Sequence, residues 1–192
     1  MRKIELRNIP LLTILLVATL LLVAQFPAWG RALIYERPAI LQGELWRLPG
    51  CNLVHYSTAH LCWNLLPLLV FGCWLEINSR TIFGILLLLA PLTNGALLLR
   101  PDIIYFAGAS GFVVAVVTGL CLAKLTSSPH KGPWLLLLLL MTGKIGYELL
   151  TARAIFAPGH RPVLPLSHLL GLLSAVMVVI LFRLFAGKTS RY

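Results

Sequence analysis

A serine hydroxyl becomes a nucleophile when a base takes its proton, and near pH 7 that base is usually a neutral histidine. Ser110 and His168 are candidates for these two roles, each expected near one end of an apolar segment. Ser110 stands in Gly108-Ala109-Ser110-Gly111, whose small residues let a substrate backbone or a second helix approach the hydroxyl. His60 and Asn64, four residues apart, would share one face of a helix. With the backbone N–H of Ser110 they could supply the preset donors that an acyl-transfer oxyanion needs. The chemistry predicted is acyl transfer by a Ser110/His168 dyad. No Asp or Glu is expected at matching depth as a third member. Glu148 is the nearest candidate, and Lys144, four residues before it, is its expected partner, forming a neutralising pair.

These residues sit in a chain of 192 residues that is 59% hydrophobic and 11% charged. A soluble domain carries about 25% charged residues, so disorder and an ordinary cytosolic enzyme are excluded. The apolar residues fall in blocks of about 16 to 20, the length that crosses a hydrocarbon core of roughly 30 Å. Six spans are expected: Ile9–Trp29, His60–Leu75, Ile82–Leu99, Ile103–Leu125, Pro133–Leu150 and Leu166–Phe185. The fold class is an all-α membrane protein, one domain over residues 1–192.

The net charge of +10 comes from Lys and Arg scattered singly, without a basic run, so a nucleic-acid partner is not expected. They read as topology charges. Arg2, Lys3 and Arg7 precede a first apolar stretch that ends in Trp29, which suits a retained anchor better than a cleaved signal peptide. With the N-terminus inside, Arg80, Lys124, Lys131, Arg183, Lys188 and Arg191 join those three on the inner side. Arg31, Arg37, Arg47, Arg100, Arg153 and Arg161 fall outside. Both termini are therefore expected in the cytoplasm. Cys51, Cys62, Cys73 and Cys121 form no CxxC pair and no Cys/His metal spacing, so neither a metal nor a disulfide is expected.

An ionisable or strongly polar group within a span is costly, and by default marks a functional site. Spans two, four and six all run from outside to inside in this topology. His60, Asn64, Ser110 and His168 then share one depth in the outer part of the membrane, which predicts a single site.

Taken together, these segments resemble the rhomboid family of intramembrane serine proteases. Trp46-Arg47, followed by His55, His60 and Asn64, is similar to the family's WR motif and to the HxxxxHxxxN pattern that opens its second helix. Phe71-Gly72 and Glu76 follow in the expected places. Gly108-Ala109-Ser110-Gly111 resembles the nucleophile motif of helix four, and His168-Leu169-Leu170-Gly171 the base-bearing motif of helix six.

The resemblance implies a six-helix bundle with a cavity open to the outside and no cofactor. Ser110 would attack a peptide bond of a transmembrane substrate, with His168 as base. His60 and Asn64 would line the oxyanion hole beside Gly108 and Gly111. Trp46, Arg47 and His55 would organise an outer loop lying partly in the bilayer. Val114 departs from the family, which often carries an aromatic residue there to support the base. Ala175 replaces the second glycine of the helix-six GxxxG.

The compact chain and Lys144-xxx-Glu148 also resemble rhombosortases, although their usual nucleophile segment has a His in place of Val114. Those bacterial relatives process proteins bearing a C-terminal Gly-Gly sorting tail. That resemblance implies the bacterial inner membrane and substrates tethered by a C-terminal helix. The alternative from another class is a catalytically silent relative that binds transmembrane clients.

Overall fold

The computed structural model describes residues 9–151, 153, 155 and 164–189. Arg2, Lys3, Arg7, Arg161 and Arg191, counted above for topology, lie outside the described residues.

Helix α1 (Leu11–Gln25) carries the first apolar stretch, but it stops short of Trp29. Phe26 is extended, and Pro27 opens α2 (Pro27–Leu33), turning the axis by 109°. Proline drives the residue before it out of the helical region, so the apolar run could not continue straight through. At 1.5 Å per residue the 15 residues of α1 rise about 22 Å. Its N-terminus is held by a buried carboxylate. Glu76 accepts from the N–H groups of Leu12 and Thr13 at 3.0 and 2.8 Å and from Thr13 Oγ1 at 2.8 Å. These satisfy donors that the first turn of a helix otherwise leaves open.

The long connection after α2 contains two short helices, α3 (Arg37–Leu41) and α4 (Arg47–Gly50), and a two-residue strand β1 (Tyr35–Glu36). Arg47, 8% exposed, donates to the carbonyls of Arg31 and Ile34 at 2.9 and 3.0 Å and to Glu44 at 2.6 Å. It thereby holds the C-terminal end of α2 against α4, as a cation does at the negative end of a helix. Trp46 donates from Nε1 to Ala32 O and leaves about half its surface exposed.

Span two is continuous from Thr58 to Asn78: α5 (Thr58–Pro67), a π-helical turn (Leu68–Gly72) and α6 (Cys73–Asn78). Pro67 cannot donate to the ladder, and the wider turn directly after it accommodates the loss. Span three is α7 (Arg80–Leu89) followed by a tighter 3₁₀ segment, Ala90–Leu99, with Pro91 as its second residue.

Expected span four begins later than hydropathy alone indicates. Residues 103–109 are not helical, and Tyr105–Phe106 form strand β2, antiparallel to β1 with Tyr35 opposite Phe106. Helix α8 (Ser110–Ser127) starts only at the serine. Two features set that boundary. Arg37 N–H bonds to Ile104 O, and Gly108 adopts φ +135°, a conformation that breaks a right-handed helix.

Helices α9 (Gly132–Thr151) and α10 (Pro165–Thr189) complete an all-α membrane bundle. Among the described residues, five helical segments are long and apolar enough to cross a bilayer; α1 with α2 makes a sixth only as a bent pair. The core forms around α8, where Phe112, Val116, Leu120 and Cys121 pack against Phe83, Leu86, Ala175 and Val179.

Candidate active site

Ser110 is the first residue of α8, so its hydroxyl lies at the end where helix N–H groups have no intrahelical acceptor. The preceding loop is clamped from two sides. Gly108 N–H donates to Cys51 O at 3.0 Å, and Ala109 N–H donates to His55 Nε2 at 3.4 Å. A Cβ on Gly108 would lie 2.7 Å from His60 Cε1 and 2.9 Å from Nε2. The imidazole of His60 thus occupies the space a side chain would take, two residues before Ser110. His55 meets that ring edge-on at 5.0 Å, and Tyr56 stacks on it at 6.1 Å. Burial, together with the neighbouring His60, lowers the pKa of His55 from the ordinary 6.5 to about 3. His55 is therefore neutral at pH 7 and able to accept from Ala109.

Asn64 is 4% exposed and donates from Nδ2 to His60 O, one turn earlier in α5, at 3.0 Å. Its amide is oriented by its own helix, with a second hydrogen remaining on Nδ2.

Helices α8 and α10 touch backbone to backbone beside the serine. A Cβ on Gly111 would come within 2.7 Å of Ser167 O, and one on Gly171 would overlap Gly111 O. Gly111 follows Ser110 and Ser167 precedes His168, so the seam brings the proposed nucleophile and base to one level. No hydrogen bond joins Ser110 Oγ to His168 among the described residues. Apo catalytic pairs are often long and tighten only with substrate bound.

One expectation needs correcting. A carboxylate does reach His168. Glu148 Oε2 lies 2.7 Å from His168 Nδ1, while Glu148 Oε1 accepts from Lys144 Nζ at 2.7 Å and from Ile155 N–H at 3.4 Å. The expected Lys144–Glu148 pair exists, and it is half of a three-residue cluster. Lys144 Nζ is itself 3.4 Å from His168 Nδ1. Glu148 is 1% exposed and His168 5%. The span order carried the shared depth of the two residues, though not the contact itself. Span five runs toward the end at which span six begins, and Glu148 lies within one turn of the end of α9.

Residues 42–185 match the family model for the Rhomboid domain, which covers every residue of the site. No curated protein is similar enough to count as a match. With three quarters of its length inside that domain, the chain belongs to the rhomboid family. It is an integral membrane protein of a family made up generally of intramembrane serine proteases, with some inactive members.

Proposed function

We propose that this protein is an intramembrane serine endopeptidase that cleaves transmembrane substrate proteins. Ser110 is the nucleophile and His168 the general base. The observation that carries the reading is the α8–α10 seam, where Gly111, Ser167 and Gly171 allow no side chain between the backbones and flank the two reacting residues. Ser110 Oγ attacks the scissile carbonyl carbon while His168 Nε2 takes its proton. The oxyanion accepts from the first N–H groups of α8, with His60 and Asn64 as further donors. Collapse breaks the C–N bond, and the proton on Nε2 passes to the leaving amine. Water then attacks the acyl-enzyme, with His168 again as base, to release the acid and free Ser110.

Gly108 and Gly111 admit His60 and the backbone of α10, and the loop held by Trp46, Arg47 and His55 supports the segment that leads into Ser110. The finer reading is a rhombosortase-type processor of C-terminal Gly-Gly sorting tails. It would act in the bacterial inner membrane, with cytoplasmic termini and an outward-facing site. Lys144-xxx-Glu148 supports it.

A fluorophosphonate probe applied to the detergent-solubilised protein, followed by peptide mapping, tests the central claim. Labelling at Ser110 that disappears in Ser110→Ala and His168→Ala is the expected result. A folded wild type that does not label would favour the silent client-binding alternative, for which the absent Ser110–His168 bond is the motivating observation.

A further inference from the structure

Glu148 is unusual for the helix that carries it. Among the residues of α9 only Ile145 and Glu148 are buried, with Trp134, Leu137, Leu138 and Met141 partly buried against the core. A lone carboxylate in that position would carry a large desolvation cost. Lys144 compensates its charge from within the same helix, yet the carboxylate also spends its second oxygen on His168 of a different helix. A merely neutralising pair has no need of that second bond.

We infer that Glu148 is a positioning residue for the base: its carboxylate fixes His168 as the Nδ1–H tautomer and aims Nε2 at Ser110, with Lys144 holding the carboxylate ionised. The inference rests on the protease reading above. Beside the Lys144 ammonium the ionised carboxylate is the compensated form, and an ionised carboxylate can only accept. Nδ1 must then carry the proton, leaving the lone pair on Nε2, the nitrogen a general base needs. Lys144 cannot donate to a protonated Nδ1, so its 3.4 Å approach is electrostatic rather than a hydrogen bond. The Nδ1 partner is also what an imidazole needs to hold one ring orientation, which matters more here because Val114 supplies no aromatic support.

The test uses the full chain in detergent and compares Ser110 labelling rates and thermal unfolding for Glu148→Gln, Glu148→Asp and the neutral double variant Lys144→Met/Glu148→Gln. Glu148→Gln should slow labelling by roughly 100-fold or more, as loss of an orienting carboxylate does elsewhere. Glu148→Asp should recover part of the rate. The double variant removes both buried charges, so it should regain stability and remain slow. Wild-type labelling in the folded double variant would show that the cluster is only structural and would overturn the inference.

Nitrogen NMR of ¹⁵N-histidine protein, with the His168 signal assigned by His168→Ala, reads the tautomer without any activity. A protonated Nδ1 in wild type that is lost in Glu148→Gln supports the pairing, and an unprotonated Nδ1 in wild type refutes it. If wild type fails to label Ser110 yet shows the Nδ1–H signature, the protease reading falls and the pairing stands.

Discussion

Helices α8 and α9 each bring a side chain to the site, and they are held in opposite ways. In α8, 61% of the residues of the spanning stretch are buried, whereas in α9 the share is 11%. Helix α8 is surrounded by the rest of the bundle, and its serine-bearing end is clamped by Cys51, His55, His60 and the backbone of α10. Helix α9 meets the bundle over a narrow stripe, and the polar part of that stripe is Lys144–Glu148–His168. Packing therefore fixes Ser110, and a charged cluster ties His168. Close-packed backbone tolerates no added atoms, while an ion-paired contact tolerates added volume but not the loss of one charge.

The contrast can be broken most sharply at the serine. Ser110→Ala should abolish proteolysis and probe labelling with an unfolding temperature near that of wild type; an active variant would remove the nucleophile from α8 altogether. Next in size is the seam. Gly171→Ala places a Cβ on Gly111 O, and the backbones must separate. We expect a loss of about 2–4 kcal/mol or failure to fold, measured by detergent-resistant unfolding.

Asn64→Ala should lower turnover by roughly 10- to 1,000-fold if Asn64 donates to the oxyanion. Unchanged turnover with lower stability would make it a packing residue of α5. His55 gives a pH signature for the clamp. Its pKa is about 3 folded and about 6.5 unfolded, so the unfolded state takes up the proton first as pH falls. The stability it contributes is complete above pH 6.5 and is lost progressively toward pH 3. Replacement by Gln should flatten that part of the stability curve, and an unaltered curve would show that His55 is solvated.

The smallest effect is expected on α9. A Cβ on Gly143 or Gly146 meets nothing within 4 Å. Alanine there should leave labelling unchanged and stabilise the helix by about 0.5–1 kcal/mol. A large loss at either glycine would mean that α9 packs as tightly as α8.

Much of this was legible in the sequence, and the reasons differ by residue. Composition and block length gave an all-α membrane bundle because hydrocarbon imposes helices of a set length. Ser110 and His168 stood out because a polar group within an apolar span is costly, and the segments around them resemble the family's motifs. Hydropathy could not distinguish residues 103–109 from a helical turn, since an apolar strand and an apolar helix have the same composition. Pro27 was visible, but its effect depended on Phe26 becoming extended rather than the helix kinking. The Glu148–His168 bond was hidden for another reason. Spacing reveals the Lys144–Glu148 pair within one helix, whereas a contact between spans depends on helix rotation, which no single-helix pattern records.

That difference between an intrahelical and an interhelical partner has a consequence for assembly. Lys144 and Glu148 belong to one turn of α9, so their pair can form as soon as that helix does. His168 lies in the next helix along the chain, which follows later in synthesis. The lysine can therefore act as a chaperoning counter-ion, sheltering the carboxylate in the bilayer until α10 docks and claims its second oxygen.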